Sequence, residues 1–217
     1  MGKSSFYWES LNQKYVFNPR KKYLIYFKCC CCPPHRGHFE TIKKLVDMGP
    51  NVYAMVHQIG SERRHGVPYN LNRKIWKTFI NELLPRDRVF LKKCNNLGEI
   101  NDVIDRIDGI DTVVYIRGNE DYDINQTERS TRSRFKRIKQ QLNYSGIKLD
   151  FYFADRPLKN KLCATNFIRN LIKTSGRCKR PGCNCKYKKL KYFFPRDLDE
   201  TIVMNLVREL QRNNLIV

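Results

Sequence analysis

Residues 28 to 40 read KCCCCPPHRGHFE: four consecutive cysteines, two prolines and a pair of histidines three residues apart. Two chemistries fit such a cluster. Thiolate and imidazole together are ligands for a transition metal. Two imidazoles alone, set across the start of a helix, would face one bound anion together. Consecutive side chains in extended chain point to opposite faces, so Cys29 to Cys32 cannot converge on one ion. Neighbouring cysteines do not readily close a disulfide either. The four are expected to pack as small apolar side chains beneath the loop, leaving the chemistry to His35 and His38.

Those histidines need elements to hold them. YLIYF (Tyr23–Phe27) is an apolar, aromatic run that reads as a strand. A helix is expected from about Gly37, with Phe39, Ile42, Leu45 and Val46 on one face and Gly49-Pro50 as its stop signal. His35 and His38 then sit on a strand-to-helix turn at the carboxyl edge of a sheet, where open α/β folds bind ligands. The helix start is expected to add unpaired N–H donors and a positive dipole end, which favour phosphate, and Gly37 allows close backbone approach.

Four further runs read as strands: Val52–His57, Arg88–Leu91, Thr112–Ile116 and Leu149–Phe153. Most are continuous apolar runs rather than alternations, which suits strands covered on both faces. Helical patterns lie between them at Leu71–Leu84, Leu97–Ile107 and Thr127–Leu142, the last with six basic residues against one acid. Another helix is expected to open near Cys163–Ile172. The chain closes with a helix marked by Asp197 and Glu200 as a capping box and an apolar stripe of Ile202, Val203, Leu206 and Leu210. The expected fold is therefore α/β: a Rossmann-like open five-stranded parallel sheet with helices on both faces. Its expected divisions are an N-terminal extension (1–22), the sheet domain (23–172), and a basic Cys-containing insertion with a C-terminal helix packed on the domain (173–217).

The formal net charge of +21 makes anions the expected partners, and nucleotide phosphates, nucleic acid and acidic membrane surfaces all qualify on charge alone. The N-terminal MGKSSFYWES lacks the apolar core of a secretory leader. Phe6 also stands where the N-myristoylation pattern takes Ser or Thr, so no membrane association is expected. Nine cysteines without a framework pattern suit a reducing, cytoplasmic setting.

"PPHRGH" on a strand–turn–helix resembles the G-x-F-x-P-x-[HT]-x-G-H signature of the nucleotidyltransferase (cytidylyltransferase-like) superfamily. This superfamily includes nicotinamide-nucleotide and phosphopantetheine adenylyltransferases. Pro33, His35, Gly37 and His38 match, while Cys29 stands at the family's Gly and Cys31 at its Phe. "CATNFIRNLI" is similar to the family's I-S-S-T-x-x-R element, with Thr165 and Arg169 in its two distinctive places. "VVYIRGNEDYD" resembles the adenylyltransferase Arg-Gly after the fourth strand (Arg117, Gly118), and "GVPYNLNRKIW" puts Arg73 at the usual helix Arg.

The resemblance covers roughly residues 23 to 172. It implies transfer of AMP or CMP, the adenylyl group slightly favoured, from a nucleoside triphosphate to a phosphorylated small-molecule acceptor, with Mg²⁺ as cofactor. It implies catalytic His35 and His38, nucleotide contacts from Cys30, Cys31, Arg117, Gly118, Thr165 and Arg169, and acceptor contacts from Arg63, Arg64 and Arg73. A non-catalytic fold of this kind that binds nucleic acid through its basic surface is the alternative, although no helix-turn-helix, ribonucleoprotein signature or paired zinc-finger spacing is present. Cys178, Cys183 and Cys185 (C-x₄-C-x-C) offer three of the four ligands a structural zinc takes. Cys163 or one of the N-terminal four would have to supply the last.

Overall fold

The computed structural model describes residues 16–29, 32–58, 66–93, 98–118, 133, 136–140, 142, 146–154, 163–175, 189–213 and 215. Five strands form one sheet in the order β3-β2-β1-β4-β5: β1 (Tyr23–Cys29), β2 (Val52–Gln58), β3 (Val89–Lys93), β4 (Thr112–Gly118) and β5 (Lys148–Ala154). Every pairing is parallel, as the continuous apolar runs require. The chain builds outward from β1 through β2 to β3, then returns to place β4 on the other side of β1. The order therefore reverses between β1 and β4, and the histidine turn leaves β1 at that switch point.

Alternate side chains of the strands feed two cores. Ile25, Phe27, Val56, Val114 and Ile116 face a layer made by α1 (Arg36–Val46), α2 (Tyr69–Leu83), α4 (Ala164–Ser175) and α5 (Glu200–Gln211). Leu24, Tyr26, Met55, Val113 and Tyr115 face the opposite layer, which includes α3 (Glu99–Ile104) and Ile138. Tyr26 at the centre touches Tyr115, and Tyr115 in turn meets Phe151 at 5.5 Å, an aromatic file running across three strands. No described helix is long and apolar enough to cross a membrane.

Several element ends differ from expectation for identifiable reasons. The third strand starts one residue late because the Arg88 N–H closes a turn onto the Pro85 carbonyl at 3.1 Å, while its side chain serves α1. Its guanidinium donates to the carbonyls of Val46 at 3.0 Å and Gly49 at 2.8 Å, closing the C-terminal end of α1. Cys163 lies outside α4 and caps it, its sulfur accepting the Asn166 N–H at 3.3 Å. The last helix is capped by Asp199 rather than by an Asp197–Glu200 box, since Asp199 Oδ1 accepts from the N–H groups of Thr201 and Ile202. Within the expected basic helix 127–142, residues 136–140 are helical and Ile138 is buried, while most of the rest lies outside the described residues.

The C-terminal residues belong to the first core. Leu190, Phe193, Phe194 and Leu198 are buried there with Val203, Leu206 and Leu210 of α5. Lys74 on α2 pairs with Glu209, and Gln211 donates to Thr174 at the end of α4. Because Asp199 is the cap, Asp199→Ala should lower stability by about 1 kcal/mol in urea unfolding, while Asp197→Ala should change it by less than about 0.5 kcal/mol.

Candidate active site

The chain leaves β1 through a cis Cys32–Pro33 bond and enters α1 at His35. His35 is the N-cap, with extended backbone (φ −141°, ψ 171°), and its Nδ1 accepts the Gly37 N–H at 3.1 Å. His38 answers from the first turn, its Nδ1 accepting the His35 N–H at 3.3 Å. The two imidazoles thus form a reciprocal capping box of the kind Ser and Glu usually make. Their ring centroids lie 3.8 Å apart, with Phe27 and Trp76 flanking His38 at 6.3 and 6.5 Å.

This cap fixes the chemistry of both rings. A backbone N–H can only donate, so each Nδ1 is unprotonated and each neutral ring carries its proton on Nε2. The result is a pair of neutral Nε2–H donors built into one turn. The α1 opening turn contains no acidic side chain to repel an anion. The expectation of unpaired backbone donors is corrected, however. Arg36 N donates to the Phe193 carbonyl at 2.6 Å, Gly37 N to His35 Nδ1, and the N–H groups of His38 and Phe39 to His35 O. Every amide of that turn has a partner within the protein.

Thr165 and Arg169 fall one turn apart on α4, Thr165 half-buried and Arg169 exposed. Phe167, between them, stacks on Phe193 at 4.8 Å with the rings 8° from parallel. The residue that accepts from Arg36 therefore also seats the α4 motif. Arg73 on α2 is half-buried, its guanidinium near Tyr69 Oη at 3.4 Å and donating to Leu91 O at 3.5 Å, which ties α2 to β3. Arg117 and Gly118 end β4, beside β1 at the switch point.

Cys30, Cys31, Arg63, Arg64, Cys178, Cys183 and Cys185 lie outside the described residues. Cys32 packs as expected, buried, with its sulfur 3.3 Å from Asn72 Nδ2. Among the described residues no three His, Cys, Asp or Glu side chains gather in a way that could hold a metal ion.

Two features escaped the sequence reading. Gln58, Asn72 and Trp76 are almost fully buried, yet among the described residues both amide atoms of Gln58, Asn72 Oδ1 and Trp76 Nε1 have no hydrogen-bond partner. Such atoms each cost about 1–3 kcal/mol, and Asn72 and Trp76 border the histidine turn. On the opposite face, buried His57 shares through Nδ1 a 2.6 Å hydrogen bond with Tyr26 Oη. Its Nε2 lies 3.3 Å from Glu99 Oε2 without the alignment of a hydrogen bond. A lone histidine closing the apolar run VYAMVH was the available signal. Burial, reinforced by the positive charge of Lys28, lowers the His57 pKa to about 4, against a smaller opposing effect of a backbone hydrogen bond with Lys93.

The sign follows directly. Between pH 6.5 and 4 the unfolded chain protonates His57 while the folded chain does not, so acid favours unfolding. Stability should fall through that window, by up to about 3 kcal/mol from this group. His57→Gln should flatten that part of a urea-unfolding pH series.

No protein-family model matches the chain, and no curated protein matches it. Solved structures do. A bifunctional NMN adenylyltransferase/ADP-ribose pyrophosphatase from Francisella tularensis superposes with TM-score 0.53 at 10% identity, over 88% of this chain and 53% of that one. The same bifunctional enzyme complexed with AMP and a Mn ion gives 0.52 at 11% identity, over 88% and 52%. A Plasmodium falciparum nicotinic acid mononucleotide adenylyltransferase gives 0.46 at 12% identity, over 86% and 98%. The chain spans about half the length of the Francisella structures. At these identities the likeness is one of architecture: this chain's five-stranded parallel α/β fold is shared with about half of the bifunctional Francisella enzyme.

Proposed function

We propose that the protein is a nucleotidyltransferase, moving AMP or CMP from a nucleoside triphosphate to a phosphorylated small-molecule acceptor. The observation that carries this reading is the reciprocal histidine cap at the switch-point edge of the sheet, two imidazoles with ring centroids 3.8 Å apart and each Nδ1 held by a backbone N–H. The fold shared with the Francisella adenylyltransferase supports it.

In the proposed step an acceptor phosphate oxygen attacks the α-phosphorus in line. The bond from that phosphorus to the bridging oxygen breaks, and pyrophosphate leaves with the electron pair. No side chain forms a covalent bond, so rate comes from positioning and from stabilising charge on the α-phosphoryl and the departing pyrophosphate. His35 and His38 donate through Nε2–H to the α- and β-phosphate oxygens. Because they are neutral donors, they need not lose a proton at any point in the reaction. Thr165 and Arg169 hold the β- and γ-phosphates. Arg117 and Gly118 complete the nucleotide side, and Arg63, Arg64 and Arg73 receive the acceptor phosphate.

Mg²⁺ bound to the triphosphate would offset charge on the β- and γ-oxygens. Zinc at Cys178, Cys183 and Cys185 stays a proposal for metal analysis. Cys163 fits poorly as a fourth ligand, since its sulfur is occupied in capping α4.

Purified protein with ATP or CTP, Mg²⁺ and a panel of nicotinamide mononucleotide, nicotinic acid mononucleotide and phosphopantetheine should release pyrophosphate. His38→Ala should cost about 10² or more in kcat. His35→Asn is the sharper variant. Asn caps helices well, so stability should move by under about 1 kcal/mol, yet the Nε2–H donor is gone and kcat should fall by about 10². Absence of turnover with every acceptor, together with unchanged nucleotide binding in the His35/His38 double variant, would overturn the reading. Salt-sensitive binding of RNA or DNA without preference for free triphosphates would then favour the nucleic-acid alternative.

A further inference from the structure

The two elements assigned to phosphate come from distant parts of the chain, and one short segment touches both. Phe193 is buried. Its carbonyl accepts the Arg36 N–H, the one amide of the α1 opening turn whose partner lies outside that turn. Its ring lies flat on Phe167, which sits between Thr165 and Arg169 on α4. Phe194 is fully buried and meets Phe167 edge-on at 5.3 Å and Phe79 of α2 edge-on at 6.3 Å. Leu190, Pro195 and Leu198 are buried around them, and the Phe193 and Phe194 N–H groups donate to the carbonyls of Leu190 and Lys191. A segment closed on itself in this way is a stiff strut rather than a loose tail.

We propose that Phe193 and Phe194 are positioning residues that set the separation between the histidine turn and the α4 motif. On the nucleotidyltransferase reading, on which this rests, a triphosphate meets the histidines with its α- and β-phosphates and α4 with its β- and γ-phosphates. The strut then decides whether one ligand satisfies both. A misplacement of about 1 Å between reacting groups is worth on the order of a hundredfold in rate, so a rigid link between the two half-sites has a purpose that packing alone does not supply. A monophosphate reaches only the histidine side and gains nothing from it.

One substitution isolates the link. Arg36 is the first residue of α1, where proline is favoured and its missing N–H is ordinarily no loss. His35 before it already has the extended backbone that a residue preceding proline adopts. Arg36→Pro therefore keeps the helix, deletes the bond and sets its ring Cδ against the Phe193 carbonyl, so that the turn and the strut are driven apart. Arg36→Ala is the control, because it retains the N–H and loses only the ion pair with Glu40.

Two measurements on the full chain decide the matter: amide hydrogen exchange along α4, and dissociation constants for MgATP and for AMP. Arg36→Pro and Phe193→Ala should each speed exchange at the start of α4 by about tenfold. They should weaken MgATP by on the order of tenfold while leaving AMP unchanged. Arg36→Ala should match the wild type in both. Phe193→Leu, which keeps burial but not the stack, should fall between. Arg36→Pro indistinguishable from Arg36→Ala in α4 exchange would overturn the strut, and so would equal weakening of MgATP and AMP. Wild-type protein that binds neither nucleotide would instead count against the nucleotidyltransferase reading, and the exchange comparison would then decide the strut alone.

Discussion

The hydrogen bonds from Gly37 N to His35 Nδ1 and from His35 N to His38 Nδ1 are the constraint on which the site depends. They perform two tasks at once. As helix caps they absorb backbone donors that α1 would otherwise leave unpaired at its buried end. As tautomer locks they fix the proton of each ring on Nε2, which makes each imidazole a donor at that atom. A histidine free to rotate would offer a donor or an acceptor at random. Here the backbone makes that choice before any ligand arrives, which is what preorganised stabilisation of developing charge requires.

The sheet supplies the place for that turn. With β1 central and the chain reversing direction across it, the carboxyl ends of β1 and β4 lie side by side and the crossovers diverge above them. The two faces are unlike in character. One carries α1, α2, α4 and α5 and reaches to the C-terminal helix. The other, smaller among the described residues, has the file Tyr26, Tyr115 and Phe151 and the neutral His57 held by Tyr26. His57 is thus a histidine whose environment opposes charge, on the face away from the pair at the helix start.

The C-terminal segment is part of the first core. Its aromatic pair lies where α1, α2 and α4 converge, and the Phe193 carbonyl takes the amide that the α1 turn cannot satisfy by itself. The same burial that stabilises the segment therefore orders both motif-bearing helices. Aromatic stacking suits such a junction because flat rings resist sliding and rotation more than aliphatic side chains do.

Much of the architecture was legible from local pattern. Parallel strands buried on both faces must be continuous apolar runs, and YLIYF, VYAMVH and TVVYI are such runs. The position of His35 and His38 on a strand–turn–helix followed from the local pattern, whereas Thr165 and Arg169 were picked out by resemblance and only their placement one helical turn apart followed from spacing. Caps were less legible: the spacing of Asp197 and Glu200 pointed to Asp197, and only the backbone shows Asp199 as the cap. What tertiary structure alone decided were the partners of groups far apart in the chain. The sequence implied spare amides at the start of α1, but the fold spent one on Phe193 and the rest within the turn. It left Gln58 without a hydrogen-bond partner among the described residues and set Phe167 flat against Phe193. Periodicity reports which face a residue occupies. It carries no information on which distant atom completes a hydrogen bond or a ring stack, because that pairing is set by how the layers close.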